Sequence, residues 1–378
     1  MPLFGGFAQA RNFGKGGAGR PPGFVTPAGS LGTTRGGVSV TGLLSAAAAT
    51  GPGDPPITSY SIASGSLPTG LSFNTTTADI TGTPNEVSSN TTSTFTVRAT
   101  SSAGNIDREF SITIRPVILA AYTSTGSYTF SVPVGTGSVE VLVIGAGGSG
   151  GHIGGGGGAG GVVFASSYPV TPGGSVSMNI GTPGGPYYGS YPPGQSGNQT
   201  TFGVITAYGG GYGGGYSGNP YSGGPGGSGG GGAHYPGGPG GSATQPGFST
   251  SGIGPYTNYG SAGGSGAYPV SHQGAGGGGA GGGGTGWQQG YPYGGSGVYF
   301  PQYASYGTPG GHFAAGGGGG GWSGHIYGPG AGGTGGGGYG GYNGNGGNGS
   351  GHGSGGGAGG YPAPSGTYGS PGAVFIRY

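Results

Sequence analysis

The sequence predicts an all-β protein that consists of a β-sandwich followed by a longer glycine-rich β-domain. Three observations lead to this prediction. Short runs alternate apolar and polar residues, which is typical of half-buried strands. Turn residues separate these runs in the first third of the chain. The 378 residues include 116 Gly and 31 Pro, without the strict Gly-X-Y period of collagen.

The composition excludes several functional classes. Charged residues make up 4% of the chain and the net charge is +2, so no broad field is available to attract nucleic acid or a membrane. The chain has no cysteine, which excludes disulfides and thiolate chemistry. We find no apolar run long enough to span a membrane and no signal peptide. We therefore expect no membrane insertion and expect assembly in the cytoplasm.

Residues 1–37 are predicted to form an N-terminal arm, because aromatic and basic residues alternate with glycine and acidic residues are missing. One interpretation is a disordered basic leader. The other is a docking arm, in which single aromatic rings anchor in grooves of a partner and guanidinium groups pair with its carboxylates. The docking interpretation assigns particle anchoring to Phe7, Arg11, Phe13, Lys15 and Arg20.

Residues 38–116 are predicted to form an immunoglobulin-like β-sandwich. Apolar residues alternate with polar ones at Phe95 and Val97 and again at Phe110 and Ile112. Turn sequences rich in Gly, Pro, Asn and Asp separate the predicted strands. A unit of this length with short strands and frequent turns fits such a sandwich.

Residues 67–73 read LPTGLSF and residues 78–84 read ADITGTP. These two pieces resemble a signature of Ig-like modules in bacterial surface and phage proteins. The resemblance implies a spacer or presentation module, and it does not imply carbohydrate binding by these residues. We expect Leu71 and Ile80 to fill the core and Gly82 and Pro84 to shape a turn.

Residues 117–378 are predicted to form one glycine-rich domain. Predicted strands bracket it at 128–132 and 139–144 near its start and at 373–378 at its end, with further strands at 161–164, 175–180 and 200–207. The nearly continuous apolar run at 139–144 is expected of a strand that is covered on both faces. Unless these strands belong to separate units, the last one must return to the first ones.

Several pieces of this region resemble a glycine-rich β-domain family of phage and bacterial surface proteins. These pieces are 128–134 (YTFSVPV), 138–150 (SVEVLVIGAGGSG), 154–163, 170–180 and 372–378 (GAVFIRY). A Tyr- and Pro-rich insertion at about 208–370 exceeds what this resemblance requires, so specificity is expected there.

No Asp, Glu, Lys or Arg occurs from Val141 to Ile376. Ordering glycine costs much backbone entropy, and few side chains are present to offset that cost by burial. Backbone N–H and C=O groups can offset it if threefold extended helices run side by side and bond to one another. We therefore predict a polyglycine II helix bundle that the strands cover. The alternative is a disordered Gly/Tyr sequence that condenses.

The sequence offers no catalytic, cofactor or metal site. Residues 141–150 match a strand followed by GxGxxG, but no acidic residue follows Glu140, and a dinucleotide site needs one. The six histidines are scattered and lack carboxylates that could orient them. We therefore predict that the protein is not an enzyme and uses no cofactor.

Tyr and Trp on Gly/Ser-rich loops are typical of adaptable binding surfaces. The rings could stack on sugars, which assigns host-surface binding to Trp287, Tyr291, Tyr293, Trp322 and Tyr327. Alternatively they only cap the glycine layers. Nucleic-acid binding would need Arg or Lys among the aromatic residues, and none is present there.

We interpret the chain as a structural protein of a phage virion, either a tail fibre or a capsid appendage. Its partners would be other virion proteins, through the N-terminal arm, and a host surface glycan or protein. The resemblance to fibre proteins implies a homo-oligomer. Two alternatives remain open: an architectural subunit without receptor binding, and a cellular surface or sheath protein.

Overall fold

A computed structural model describes most of the chain. The described residues are 19–45, 47–186, 192–216, 220–245, 254–266, 272–286, 290–322, 328–361 and 367–378. Within them the regular structure consists mainly of strands, with a 3-10 turn at Pro301–Tyr303, which confirms the all-β prediction. None of the described residues forms a helix with the length and apolar character needed to cross a bilayer. The chain divides into two units, Met1–Ile118 and Leu119–Tyr378.

Nine strands belong to the first unit and eleven to the second. The strands of the first unit are β1 (Gly23–Phe24), β2 (Gly29–Arg35), β3 (Val40–Ser45), β4 (Ala48–Ala49), β5 (Ile57–Gly65), β6 (Leu71–Phe73), β7 (Asp79–Gly82), β8 (Thr91–Ser101) and β9 (Gly104–Arg115). The strands of the second are β10 (Leu119–Tyr122), β11 (Gly126–Ser131), β12 (Ser138–Ile144), β13 (Val162–Pro169), β14 (Ser175–Ile180), β15 (Thr200–Phe202), β16 (Ile205–Ala207), β17 (Tyr256–Tyr259), β18 (Val298–Tyr299), β19 (His312–Phe313) and β20 (Ala373–Arg377).

The first unit contains a four-stranded sheet in the order β2-β9-β8-β5 and a three-stranded sheet in the order β3-β7-β6. Phe95, Phe110 and Ile80 are buried in a common core, and Leu71 packs against it. Gly82 has a φ of +126°, and an added Cβ there would lie 2.4 Å from the carbonyl oxygen of Gly70. Gly82 is the last residue of β7, so the turn predicted there is wrong, and glycine is needed instead for a close approach of two backbones.

The predicted boundary of the arm at residue 37 is wrong. Residues from Gly23 to Arg35 contribute β1 and β2, and β2 pairs in parallel with β9. The cause is Phe24, which is buried and packs edge-on against Phe110 with ring centroids 5.5 Å apart. Arg108 holds this segment by donating hydrogen bonds to the carbonyls of Phe24 and Thr26. The segment from Gly23 to Arg35, which the sequence assigned to the arm, is therefore part of the sandwich.

The second unit contains a five-stranded sheet in the order β10-β20-β12-β13-β17 and a four-stranded sheet in the order β11-β14-β15-β16. The last strand, β20, lies between β10 and β12 and is antiparallel to both. The predicted return of the chain end to the first strands is confirmed. Strands β17, β18 and β19 lie in the glycine-rich region, where the sequence predicted none.

The core of the second unit has two layers separated by β12. Val141 and Val143 face one cluster, which also holds residues of the four-stranded sheet. Leu142 and Ile144 face the other cluster, together with Phe375 and aromatic residues of the glycine-rich region. Strand β12 is buried on both faces, as its apolar run predicted.

Glu140 and Arg377 are the only charged side chains from residue 119 to residue 378. The Arg377 guanidinium lies 3.1 Å from a Glu140 carboxylate oxygen, and both side chains are mostly buried. The Tyr303 hydroxyl donates to the same oxygen at 2.9 Å. Burial and the neighbouring Glu140 carboxylate raise the pKa of Tyr303 above its usual range. These contacts join β12, β20 and the 3-10 turn.

We expect Arg377→Met to lower the free energy of unfolding of the second unit by about 1–2 kcal/mol, because it leaves a mostly buried carboxylate with less compensation. Urea denaturation measures the loss. The matched control is Arg98→Met, which breaks an exposed ion pair with Asp107 on the surface of the first unit. Exposed pairs contribute little, so an equal loss in the two variants would contradict the prediction.

The glycine segments bond to one another through their backbones with a period of three residues. The clearest case is residues 154–161, here called the central glycine segment. Its amide groups donate hydrogen bonds to three neighbouring segments in rotation. The amides of residues 155, 158 and 161 donate to the carbonyls of residues 214, 211 and 208, and the amides of residues 156 and 159 donate to those of residues 275 and 278. The amides of residues 157 and 160 donate to the carbonyls of residues 356 and 353.

The carbonyl groups of the central glycine segment accept from three further segments. The carbonyls of residues 156 and 159 accept from the amides of residues 231 and 228, and the carbonyls of residues 154 and 157 accept from those of residues 320 and 317. The carbonyls of residues 155, 158 and 161 accept from the amides of residues 151, 148 and 145. Six neighbours therefore surround this segment, and most of its buried backbone groups are paired.

His352 lies beneath the strands, with its ring centroid 5.7 Å from that of Phe375. Burial lowers its pKa below the ordinary value of 6.5. The unfolded chain therefore binds a proton at a higher pH than the folded chain, so stability is full above about pH 6.5 and decreases as the pH falls from there through the folded pKa. Thermal unfolding between pH 8 and pH 5 measures this dependence of stability on pH. We expect His352→Phe to reduce the dependence, and an unchanged dependence would rule out His352 as its source.

Candidate functional site

The glycine segments end together at the side away from the strands. The Tyr216 amide donates to the His152 carbonyl at 3.1 Å, and the His152 amide donates to the Pro192 carbonyl at 3.1 Å. The Ile153 amide donates to the Gly359 carbonyl at 2.9 Å, and Gly321 donates to Gly341 at 3.1 Å. These bonds bring together turns that are far apart in the sequence, at a common level along the glycine segments. We call this level the distal end, with described residues 152–153, 216, 234–237, 272–273, 321–322, 342–344 and 360–361.

Aromatic side chains from five of these turns meet at the distal end. Trp322 stacks on Tyr361 with ring centroids 4.9 Å apart and an interplanar angle of 4°. Tyr216 lies 5.6 Å from Trp322 and 4.8 Å from His234. We call this set the distal aromatic cluster; it consists of Tyr216, His234, Tyr235, His272, Trp322 and Tyr361.

The cluster combines fixed and accessible groups. His234 is 1% exposed, and its Nδ1 lies 3.2 Å from the Ile153 carbonyl oxygen. Tyr235 and Tyr361 are exposed, and Trp322 is half-buried. The φ angles of Ile153 and His272 are +44° and +49°. Such angles are uncommon outside glycine and concentrate at functional sites.

The structure brings some of the predicted binding residues together. Trp322 belongs to the distal aromatic cluster. Tyr291 and Tyr293 form a separate stacked pair with centroids 5.4 Å apart, and both are exposed. Trp287 and Tyr327 lie outside the described residues.

The predicted anchoring residues are mostly beyond the part of the chain that the structure describes. Phe7, Arg11, Phe13 and Lys15 all lie outside it. Arg20 is described; its side chain is exposed, and its amide donates to an Asp54 carboxylate oxygen at 2.9 Å. The anchoring role stays a prediction.

Sequence reasoning missed Tyr216, His234, Tyr235, His272 and Tyr361. A usable signal was present, because each of them lies close to the start or the end of a glycine-rich run. A glycine segment that crosses the bundle must turn at its end, and the residues at these turns share one surface.

Apart from histidine, the side chains of the distal end are uncharged. Between Glu140 and Arg377 the sequence supplies no ionised side chain apart from histidine. Among the described residues, no three His, Asp or Glu side chains come close enough to hold a metal ion. Flat rings, hydroxyl groups and backbone amides remain, and these groups stack on and hydrogen-bond to neutral ligands.

Two family models match the chain. One is described as "Glycine-rich domain" and matches residues 123–378. The other is described as "Putative Ig domain" and matches residues 22–115, a span that includes β1 and β2. A search of curated proteins found no match. Together the two domains fit a structural or surface protein.

Proposed function

The chain belongs to the glycine-rich domain family through residues 123–378, and on that premise we propose that it is a structural protein of a phage virion. It would be a tail fibre or a capsid appendage that presents the distal end of the second unit to the host surface. The single observation that carries the proposal is the distal aromatic cluster at the end of an uncharged bundle.

We further infer that the glycine segments are polyglycine II helices. The supporting observation is the three-residue rotation of hydrogen-bond donors in the central glycine segment. A threefold helix directs successive amides to three different neighbours, whereas a strand directs them alternately to two sides. Such a bundle gives the distal turns a fixed support, which reduces the entropy lost on binding.

The ligand would be a neutral host surface glycan or an uncharged patch of a host protein. Rings such as Trp322 and Tyr361 can stack on the apolar face of a sugar ring, and the tyrosine hydroxyls can bond to its hydroxyls. Because the bundle lacks charge, binding would change little with ionic strength.

The remaining assignments belong to the same proposal. Residues before β1 would dock onto other virion proteins, the first unit would act as a spacer, and the chain would assemble as a homo-oligomer in the host cytoplasm. No catalytic chemistry, cofactor, nucleic acid or membrane insertion is part of this function.

The test is competition by the purified full-length chain. Added in excess, it should reduce adsorption of the particle to host cells, and the reduction should persist at high salt. Particles that lack the chain and still adsorb normally would contradict host binding and favour a purely architectural subunit. Detection of the chain in the matrix of uninfected cells would favour a cellular surface protein instead.

A further inference from the structure

Three Asn-Gly dipeptides lie within residues 343–349, and the sequence has none elsewhere. The first, Asn343-Gly344, forms a turn at the distal end. Two hydrogen bonds hold this turn: the Gly341 amide donates to the Ala358 carbonyl at 2.7 Å, and the Gly360 amide donates to the Gly344 carbonyl at 2.9 Å. Gly360 directly precedes Tyr361 of the distal aromatic cluster.

An Asn-Gly step can modify itself. The backbone nitrogen of the glycine attacks the Cγ atom of the asparagine side chain, a new C–N bond forms, and the amide nitrogen leaves as ammonia. The five-membered succinimide that results takes up one water molecule. It opens to aspartate, or to isoaspartate in which the chain runs through the side-chain carbon. Glycine favours the attack because it has no side chain to obstruct it.

The structure distinguishes the first of the three dipeptides, Asn343-Gly344, from the last, Asn348-Gly349. The Asn348 Oδ1 atom accepts a hydrogen bond from the Tyr368 amide at 2.9 Å. The Gly349 amide, which would be the attacking nitrogen, donates to the Tyr368 carbonyl at 2.9 Å. Both reacting groups are therefore held in place by hydrogen bonds to Tyr368, and these bonds must break before the attack.

Asn343 has the opposite surroundings. Both asparagine side chains are exposed, so the difference lies in the hydrogen bonds: within the described residues the Gly344 amide donates to no acceptor. An added Cβ at Gly344 would meet no atom within 4 Å, so the turn has room to rearrange. We propose that Asn343-Gly344 is a self-modification site that converts slowly to aspartate and isoaspartate, whereas the folded protein protects Asn348.

The conversion would alter the distal end in two ways. It places a carboxylate in a unit whose other charged side chains, Glu140 and Arg377, neutralise each other. Isoaspartate also lengthens the backbone of the turn that holds Gly360, and hence displaces Tyr361. The effect on host binding rests on the proposed function; the chemical conversion does not.

The experiment is incubation of the full-length chain in mildly alkaline buffer, followed by peptide mapping with mass spectrometry. We expect Asn343 to convert at least about tenfold faster than Asn348, because each hydrogen bond that must break slows the attack. In guanidinium chloride the two rates should converge, since the same dipeptide is then unprotected at both positions. Asn345-Gly346 is mapped separately.

Equal rates at Asn343 and Asn348 in the folded protein, or a faster rate at Asn348, would overturn the proposal. The variant N343Q should remain folded and show no conversion at this position. Cell binding is compared between fresh wild type, aged wild type and aged N343Q. If aged wild type alone loses binding, the functional consequence holds; if the mass change occurs and binding is unchanged, that consequence is wrong. If fresh wild type does not bind, the proposed function fails while the chemical result stands.

Discussion

Replacement of Gly157 by alanine is expected to lower the free energy of unfolding of the second unit by roughly 3–5 kcal/mol. Gly157 lies in the centre of the bundle, where an added Cβ would stand 2.2 Å from the Gly148 carbonyl oxygen and 2.6 Å from its carbon. The clash is with backbone, so no side-chain rotation can relieve it.

The neighbouring segment cannot move away without further loss. The Gly148 amide donates to the Gly158 carbonyl at 2.9 Å, and the Gly148 carbonyl accepts from the Gly356 amide at 2.9 Å. Displacing Gly148 would break bonds in two directions and leave buried polar groups unpaired. One methyl group therefore disturbs three segments at once.

Urea denaturation of the Gly157→Ala variant measures this loss. Gly137→Ala is the matched control, because a Cβ at Gly137 in the same unit would meet no atom within 4 Å. We expect the control to unfold with the wild-type midpoint. A Gly157→Ala variant as stable as the control would show that the glycine segments are not packed backbone against backbone.

Local patterns were sufficient to predict many of the longer strands of the fold. Alternation located β8, β9 and β11, and the continuous apolar run of β12 correctly indicated burial on both faces. These signals depend on the contact of each strand with a core, which a period of two records directly. The uncharged stretch also predicted backbone bonding between glycine segments, because no side-chain core could replace it.

Long-range pairing could not be predicted from the same patterns. Strand β17 is short and polar, and it forms because β13 offers it an open edge. Phe24 was assigned to an arm because its burial depends on Phe110, far along the chain. The distal aromatic cluster likewise depends on the order in which segments cross the bundle, and identical glycine runs carry no information on that order.

The second large effect is expected for Trp322→Ala, which should weaken binding of the full-length chain to host cells by about 30-fold or more, the loss typical of a central aromatic anchor. Trp322 lies between Tyr361, on which it stacks, and Tyr216. Its removal takes away the largest ring of the surface and leaves Tyr361 without its stacking partner. Because Trp322 is only half-buried, the thermal unfolding midpoint should change little.

Titration of labelled protein on host cells measures the affinity, and thermal unfolding serves as the check on folding. Tyr299→Ala provides the control, since Tyr299 is an exposed aromatic residue on β18, outside the distal aromatic cluster. We expect this variant to bind as wild type does. If both variants bind normally, the aromatic residues at the distal end only cap the glycine segments; if both lose binding equally, the contact is a general property of exposed rings and has no specific site.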